Sequence, residues 1–249
     1  MMKGLSTSDL ALLQHACQKE KLGWSNERSP EHYDRHVIDT FLGKRTMFRP
    51  KNMTTYTWLQ NSRGLQVENT DIDTLVKVAD SCMMSSADID RMDEIKDVVA
   101  LDKSFIELGF RQPTIMKYLS QRFSRCIGFD INEINVLASR QLGYDVRCIN
   151  LSELIPDLCE LKAGLVVAYH VFEHVINPIN ALAMLAKTAE TGTLFHLEVP
   201  IEYDSPSLRY SHMFGFYPGD LAKIMSNSGS EILFSKEMGN IDRVFARKI

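Results

Sequence analysis

The sequence predicts an α/β protein built on a doubly wound, mostly parallel sheet of seven strands that ends in an antiparallel hairpin. From residue 104 onward, short apolar runs alternate with amphipathic stretches of helical length, which is the order that parallel crossovers require. Near the end, two apolar runs flank Gly239-Asn240, a turn typical of a hairpin. Before residue 100 the periodicity is helical, so a helical N-terminal extension is expected to precede the sheet.

Each element of the sheet is predicted from its own stretch of sequence. Strands are expected where β-branched and aromatic residues cluster between turn residues, and helices where apolar residues recur every three to four positions. The predicted strands are Ser104–Leu108, Arg125–Phe129, Asp145–Ile149, Leu165–Tyr169, Thr193–Val199, Glu231–Lys236 and Arg243–Ala246. The predicted helices are Thr114–Phe123, Glu133–Gln141, Pro178–Ala189 and Gly219–Ser226.

Residues 1–99 are expected to form the mostly helical extension, and residues 100–249 the α/β domain. Helical periodicity runs through Asp9–Lys19, Ile72–Met83 and Ala87–Val98, and Ser85 or Ser86 could cap the last of these. The stretch Phe41–Gln66 has no regular pattern. It contains no acidic residue, but it carries the basic residues Lys44, Arg45, Arg49, Lys51 and Arg63.

The composition excludes several classes of protein. An apolar fraction of 45% and a charged fraction of 24% over 249 residues describe a globular chain, not a disordered one. A net charge of −4 gives no global attraction to nucleic acid or to an anionic membrane. No stretch is apolar enough to span a membrane, and five scattered cysteines without a C-x-x-C pair predict neither disulfides nor a cysteine zinc site. A soluble, cytoplasmic protein is therefore expected.

The first candidate site lies where the first strand of the sheet ends. Glu107 and Gly109 stand at that end, and Asp130 stands at the end of the next strand. In a doubly wound sheet, ligands bind off the carboxyl ends of the strands, where glycine lets the backbone approach closely and a carboxylate accepts the hydroxyls of a ribose. The spacing of these residues therefore indicates a nucleoside site.

The second candidate site is the segment from His170 to His174, which follows the fourth strand. By itself its H-x-x-E-H pattern is that of zinc proteases, in which two histidines on a helix bind the metal. The segment follows a buried strand directly, and a new helix is predicted to begin at Pro178 soon after, so the long helix of such a protease is not expected. A zinc protease is therefore not favoured, and no metal site is predicted from this pattern.

In this order the motifs resemble the class I S-adenosylmethionine-dependent methyltransferases, with their Rossmann-like fold, over about residues 70–249. The matching segments are Glu107 to Gly109, Asp130, Tyr169 to Pro178, Glu198 to Pro200 and His212 to Phe216. The resemblance implies methyl transfer to an oxygen, or less readily a nitrogen, of a small-molecule or glycan-type acceptor, with the extension as a lid over the acceptor. It implies that the cofactor contacts Glu107, Gly109, Asp130, Ile131, Asn150, Leu151 and Tyr169.

The resemblance also implies which residues face the acceptor. These are His170, Glu173, His174 and His212. Methyl transfer to a hydroxyl needs a base, and histidine titrates near neutral pH, so His170 and His212 are the two base candidates. His196 lies inside an alternating strand and is assigned to packing. In several relatives a similar Glu-His pair binds a divalent cation or lines the acceptor pocket, so a cation is a second way to position the acceptor.

One part of the first motif departs from the family pattern. The family has a Gly-x-Gly-x-Gly turn, but Arg111 and Pro113 occupy the second and third of these glycine positions here. Side chains therefore stand where the backbone should contact the methionine part of the cofactor, and Pro113 has no amide donor. This departure supports an alternative hypothesis, a methyltransferase-like binding or scaffold protein that has lost its cofactor.

The basic segment supports further hypotheses. Phe41, Phe48, Tyr56 and Trp58 lie among its cations, and such a mixture binds single-stranded nucleic acid by charge and stacking. RNA methylation is therefore a third hypothesis, although the acidic chain does not favour a nucleic-acid partner. The same cations would also suit an anionic small acceptor such as a phosphate or sugar phosphate, or they could simply belong to a solvated, partly buried loop. The one-turn spacing of His32 and His36 would suit a metal, but a solvent-facing helix end explains it more simply.

Overall fold

The computed structural model of the chain describes residues 33–50, 72–202 and 212–249. The strands are β1 (Tyr33–Thr40), β2 (Gly43–Pro50), β3 (Ala100–Leu108), β4 (Phe123–Asp130), β5 (Asp145–Cys148), β6 (Ala163–Tyr169), β7 (Leu194–Pro200), β8 (Ser230–Met238) and β9 (Ile241–Lys248). The helices are α1 (Ile72–Ser81), α2 (Ser86–Glu94), α3 (Thr114–Leu119), α4 (Glu133–Gln141), α5 (Pro178–Lys187) and α6 (Asp220–Asn227), and a 3₁₀ turn covers Phe172–His174. No helix in these described ranges is long and apolar enough to cross a membrane.

Strands β3 to β9 form the predicted seven-stranded sheet. Their order is β5-β4-β3-β6-β7-β9-β8. Strand β4 pairs in parallel with β3 and β5, and β6 pairs in parallel with β7, whereas β9 runs antiparallel to both β7 and β8. The last two strands therefore form the C-terminal hairpin, and the predicted fold class is confirmed.

The predicted elements match the observed ones most closely where local capping sets their ends. Helix α4 has the predicted bounds because the Asn132 side chain accepts hydrogen bonds from the amides of Ile134 and Asn135 at its first turn. Ser85, one of the two predicted caps, caps α2 in a reciprocal pair with Asp88. The helix predicted over Thr114–Phe123 ends earlier, at Leu119. Its last residue instead begins β4, where the Phe123 ring lies 5.7 Å from that of Phe105.

The described residues fall into two compact units. One unit comprises residues 72–149, and the other comprises residues 33–50, 150–202 and 212–249. The predicted division between residues 99 and 100 is a different partition and stays a prediction.

The described part of the N-terminal extension contains α1 and α2, near two of the predicted helices, and also an antiparallel hairpin of β1 and β2 that was not predicted. The irregular structure expected from Phe41 onward is therefore wrong up to Pro50. Strand β2 of this hairpin also forms backbone hydrogen bonds with residues that are distant along the chain. The Phe48 amide donates to the Met213 carbonyl at 2.8 Å, and the Gly215 amide donates to the Thr46 carbonyl at 3.0 Å.

The hairpin also corrects the interpretation of the first histidine pair. His36 lies on β1 and not at a helix end. Its partner His32 lies outside the described residues, as do the predicted helix Asp9–Lys19 and the part of the basic segment that contains Tyr56 and Trp58.

The core of the first unit is tightly packed around Gly128 on β4. A Cβ atom at this position would lie 2.8 Å from Met116 Cε and 2.8 Å from Phe110 Cδ1. Both neighbours are buried, so the β4 backbone must stay close to the segment between β3 and α3. This packing holds the end of β4, where Asp130 lies, next to the turn that follows β3.

Substitution of Gly128 by alanine is expected to lower the free energy of unfolding by about 1–3 kcal/mol, because the added methyl group overpacks this contact. Urea denaturation of the full chain measures the loss. The double variant with Met116→Ala removes one of the two close contacts of the new methyl group, that with Met116, so the two losses should sum to more than the loss of the double variant. If the two losses in the free energy of unfolding simply add, the contact with Met116 does not cause the loss in Gly128→Ala.

Candidate functional site

The first candidate site lies at the carboxyl ends of β3 and β4, within the first unit. Asp130 ends β4, and its two carboxylate oxygens accept hydrogen bonds from the backbone amides of Arg111 at 2.8 Å and Asn132 at 2.7 Å. The Gly109 amide donates to the Phe129 carbonyl at 2.6 Å. The turn after β3 is therefore bound to the end of β4 at two points.

The turn keeps a glycine-like backbone although it has lost two glycines. Gly109 has a φ of 69°, in the left-handed region, and Arg111 has a φ of 44° in the same region. A residue with a side chain pays about 1 kcal/mol or more for this conformation, whereas glycine does not. Pro113 directly precedes helix α3, where its missing amide is tolerated.

Glu107, the last acid of β3, is buried, and not all of its hydrogen-bonding capacity is satisfied. The residue is only 5% exposed, and its Oε2 atom has no hydrogen-bond partner among the described residues. Burial raises the pKa of Glu107 well above its ordinary value, and the charges of Asp88 and Asp130 raise it further. Burial also raises the pKa of Asp130, against the amides of Asn132 and Arg111. Two buried carboxyl groups with raised pKa values at the ends of neighbouring strands are typical of a ligand site.

Substitution of Glu107 by glutamine is expected to stabilise the protein at neutral pH. Because the pKa of Glu107 is higher in the folded state than its ordinary value of 4.5, the folded protein binds the proton more tightly. The stability that this proton provides is full below about pH 4.5 and is lost progressively as the pH rises toward the folded-state pKa. The glutamine variant does not titrate, so its advantage should grow to about 1 kcal/mol or more by pH 7.5.

Thermal unfolding at pH 4.5 and pH 7.5 measures this advantage. The exposed residue Glu153 provides the matched control, since Glu153→Gln should change neither melting temperature. If the Glu107→Gln protein melts below the wild type at pH 7.5, the ionised carboxylate stabilises the folded protein and the expectation is wrong.

The remaining residues predicted to contact the cofactor divide between the two units. Ile131 is half-buried beside Asp130, whereas Asn150, Leu151 and Tyr169 belong to the second unit. The Asn150 side-chain oxygen accepts a hydrogen bond from the Ser152 amide at 3.0 Å, and its nitrogen is buried without a partner among the described residues. The Tyr169 hydroxyl is bonded to Nδ1 of His196 at 2.6 Å, which agrees with a packing role for that histidine.

The second candidate site is a cluster of imidazoles around one buried carboxylate, all within the second unit. Glu173 is 1% exposed, and its Oε1 atom lies 3.6 Å from Nδ1 of His170 and 3.5 Å from Nε2 of His174. The His174 ring in turn lies 4.8 Å from the His212 ring, measured between centroids. The structure therefore brings together all four residues predicted to face the acceptor.

Local backbone geometry explains this convergence. His170 has a φ of 57°, and its amide donates to the Glu198 carbonyl at 3.0 Å, so the chain turns sharply at the end of β6. The 3₁₀ turn Phe172–His174 follows, and its apolar residue Phe172 is fully buried. This short turn is not the long helix of a zinc protease. The Glu173 carbonyl then accepts the Met213 amide at 2.5 Å, which fixes the neighbouring segment that carries His212.

Three further charged residues belong to this cluster and were not predicted as site residues. Glu198 Oε1 lies 2.9 Å from Nε2 of His170, and Glu198 Oε2 accepts hydrogen bonds from Nε and Nη2 of Arg243 at 2.7 and 2.6 Å. Glu198 and Arg243 face each other across β7 and β9 and are both buried. Glu202 Oε2 lies 2.9 Å from Nδ1 of His212. A charged residue inside an otherwise apolar strand is the sequence signal that marks the first two.

The charges of the cluster are mutually stabilising. Burial opposes protonation of His170, but Glu173 and Glu198 together raise its pKa to about 9. Burial opposes ionisation of Glu173, but the charge of His174 and the contacts of His170 and His212 lower its pKa below the ordinary value. At neutral pH the cluster therefore contains an ionised Glu173 beside a protonated His170, whose Nε2 donates a hydrogen bond to Glu198.

The cluster also fits a divalent cation. Glu173, His174 and His212 each offer one ligand atom, and these atoms lie within 4.8 Å of one another. Neither carboxylate oxygen of Glu173 has a hydrogen-bond partner among the described residues. One carboxylate oxygen with two imidazole nitrogens is a donor set that suits zinc and similar transition metals.

Comparison with solved structures defines the class of fold. The architecture is that of the S-adenosylmethionine-dependent methyltransferases, and the predicted resemblance is confirmed at this level. Such a methyltransferase from Mesorhizobium loti is 14% identical, with a TM-score of 0.54 over 68% of this chain and 100% of that chain. Magnesium protoporphyrin IX methyltransferase (ChlM) from Synechocystis PCC 6803, solved with bound S-adenosylhomocysteine, is 14% identical, with a TM-score of 0.53 over 80% and 100%.

A third similar structure carries a different activity in its name. The [4+2]-cyclase SpnF is 14% identical, with a TM-score of 0.53 over 68% of this chain and 83% of that chain. No protein-family model and no curated protein sequence matches the chain. At these identities the likeness establishes the fold, and the residues of the two candidate sites must carry any argument about function.

Proposed function

We propose that the protein is an S-adenosylmethionine-dependent methyltransferase that acts on an oxygen, or less readily a nitrogen, of a small-molecule or glycan-type acceptor. One observation carries the proposal. Asp130 ends β4 of a methyltransferase fold, and two backbone amides hold its carboxylate in place. The Asn135 side chain also donates to this carboxylate, and the remaining acceptor capacity of its oxygens is available to the hydroxyls of a ribose.

The first unit would hold the cofactor mainly through its acids. Glu107 and Asp130 would accept hydrogen bonds from the ligand, and Gly109 would let the backbone approach it. The resemblance also assigns Asn150, Leu151 and Tyr169 to the cofactor, and the buried Asn150 nitrogen would be the donor among them. When bound, S-adenosylmethionine supplies an electrophilic methyl group on a positively charged sulfur.

The second unit would bind the acceptor and remove its proton. Glu202 accepts the hydrogen bond of His212 at Nδ1, which directs the basic lone pair of that imidazole to Nε2. His212 Nε2 would take the proton from the acceptor hydroxyl, and Glu202 and the ionised Glu173 would stabilise the imidazolium that forms. His170, already protonated between Glu173 and Glu198, would donate a hydrogen bond instead of acting as the base.

The hairpin of β1 and β2, which lies in the extension predicted to form a lid, supports this part of the site. Its β2 strand pairs with Met213 and Gly215, next to His212. We infer that the hairpin fixes the base and forms part of the wall around the acceptor. A divalent cation at Glu173, His174 and His212 would be the other way to orient the acceptor in this site.

Titration calorimetry with S-adenosylhomocysteine tests the cofactor assignment. The wild type should bind with a dissociation constant in the micromolar range, near −8 kcal/mol on the usual affinity scale, and Asp130→Ala should bind about 10-fold to 100-fold more weakly. Asp102, exposed on the same unit, provides the control, since Asp102→Ala should leave the affinity unchanged. If the wild type does not bind at millimolar ligand after any co-purified ligand is removed, the proposal is wrong.

A second candidate function is a binding or scaffold protein of the same fold without methyl transfer. One observation favours it, namely the loss of two glycines at Arg111 and Pro113. The same calorimetry separates the two, because a scaffold need not bind the cofactor. A scaffold should also keep its role after His170→Ala and His212→Ala.

The structure weakens the RNA hypothesis over the described part of the basic segment. Arg45 forms a buried ion pair with Asp220, and Phe48 is also buried, so neither presents its side chain to a nucleic acid. Phe41 and Lys44 remain exposed. The interpretation as a solvated, partly buried loop is wrong over Gly43–Pro50, because these residues form strand β2.

A further inference from the structure

Arg111 occupies a conformation that a residue with a side chain adopts only at a cost. Its φ of 44° lies in the left-handed region, where glycine stands in the family pattern. Backbone strain of this kind is concentrated at binding and catalytic sites, because surrounding contacts must hold it in place. Here the holding contact is the hydrogen bond from the Arg111 amide to Asp130 Oδ2 at 2.8 Å.

The side chain of Arg111 is exposed, and its guanidinium differs from those of the other arginines in the first unit. Within residues 72–149, every other arginine has a protein partner for its guanidinium, whereas Arg111 has none among the described residues. Those paired arginines are Arg91, Arg122, Arg125, Arg140 and Arg147. The guanidinium also lowers the pKa of Asp130, so its charge acts at the candidate cofactor site.

The turn that holds Arg111 offers few backbone amides to an anion. The amides of Gly109, Arg111 and Gln112 donate to Phe129, Asp130 and Phe110 respectively, and Pro113 has no amide hydrogen. Of the five turn residues 109–113, only Phe110 therefore has a backbone amide without a partner among the described residues. The Asp130 carboxylate beside the turn would repel an anionic ligand group.

We propose that Arg111 binds the carboxylate of the cofactor's amino-acid end, as a replacement for the backbone donors that this turn lacks. The inference rests on the proposed function, since it assigns one more contact to the same cofactor. A guanidinium suits the task because its planar fork donates two parallel hydrogen bonds to a carboxylate. Its fixed positive charge also offsets the neighbouring Asp130 carboxylate. The arginine thus explains why the strained position is occupied by this side chain and not by glycine.

Decarboxylated S-adenosylmethionine provides the matched probe, because it keeps the sulfonium and the amine and lacks only the carboxylate. Calorimetry with the wild type should show that S-adenosylmethionine binds about 10-fold to 100-fold more tightly than the decarboxylated compound. In Arg111→Gln this preference should disappear, and Arg111→Lys should keep part of it. Arg111→Gly should lose the preference as well, although it relieves the backbone strain and should therefore fold at least as well as the wild type.

Arg122→Gln provides the control, because Arg122 precedes β4 at the end away from Asp130 and donates to the Lys96 carbonyl. It should keep the full preference for the carboxylate. A wild type that binds both compounds equally overturns the role of Arg111 and leaves the proposed function standing. A preference that survives Arg111→Gln also overturns it, and a wild type that binds neither compound overturns the inference together with the proposed function.

Discussion

Replacement of Arg45 by alanine is expected to lower the free energy of unfolding by about 3–5 kcal/mol. Arg45 Nε and Nη2 donate to the two oxygens of Asp220 at 2.8 and 2.6 Å, and the two side chains are only 5% and 0% exposed. The alanine variant leaves the Asp220 carboxylate buried without its cation, with the Tyr217 amide at 2.9 Å as a remaining donor. Arg45 also packs 4.1 Å from the centre of the Tyr217 ring, and this contact is lost too.

Urea denaturation at pH 7 measures this loss on the full chain. The neighbouring residue Lys44 is exposed on the same hairpin, so Lys44→Ala should change stability by about 0.5 kcal/mol at most. The double variant Arg45→Met with Asp220→Asn should be more stable than Arg45→Ala, because it leaves no unpaired charge buried. A loss below about 1 kcal/mol for Arg45→Ala would mean that the hairpin does not dock through this ion pair.

Arg45 illustrates what could not be predicted from the sequence. It stands in a basic stretch without acidic residues, which by local pattern indicates a solvated or nucleic-acid-binding segment. Its actual partner, Asp220, lies near the other end of the chain. The same holds for β2, whose strand conformation depends on hydrogen bonds with the distant residues Met213 and Gly215. Tertiary partners far along the chain leave no local periodicity, so the hairpin could not be predicted.

The sheet could be predicted because its determinants are local. Buried parallel strands appear as short apolar runs, and the helices between them are delimited by caps such as Asn132. The helix end before β4 was misplaced because Phe123 continues the apolar pattern of α3 although it packs as a strand residue. Local propensity does not distinguish those two uses of one apolar side chain.

The candidate site was predictable to the extent that it depends on spacing along the chain. His170, Glu173 and His174 lie together because a turn follows β6, and such turns are recognisable from motif order. Glu198 and Arg243 were not assigned to the site, because their contact arises from the register of β7 against β9. That register is a property of the folded sheet, and only their charge within apolar strands indicated that they need partners.

Replacement of His212 by alanine is expected to reduce methyl transfer by about 10²-fold to 10⁴-fold, the usual contribution of a positioned general base. The variant should bind S-adenosylhomocysteine as tightly as the wild type, because the acids assigned to the cofactor lie in the other unit. Transfer of a tritiated methyl group from S-adenosylmethionine into fractions of a metabolite extract gives the measurement before the acceptor is known. His36, exposed on β1, provides the control, and His36→Ala should retain the full rate.

The partner of His212 separates a base from a residue that only packs. Glu202 orients the imidazole through its contact at Nδ1, 2.9 Å away, so Glu202→Gln should reduce the rate less than His212→Ala does. Once His212 is absent, Glu202 has no imidazole to orient, so the double variant should be no slower than His212→Ala alone. Additive losses would show that the two residues act independently, and an unchanged rate in His212→Ala would remove the base from this mechanism. An unchanged rate would also count against a divalent cation at this site, because His212 is one of its three candidate ligands.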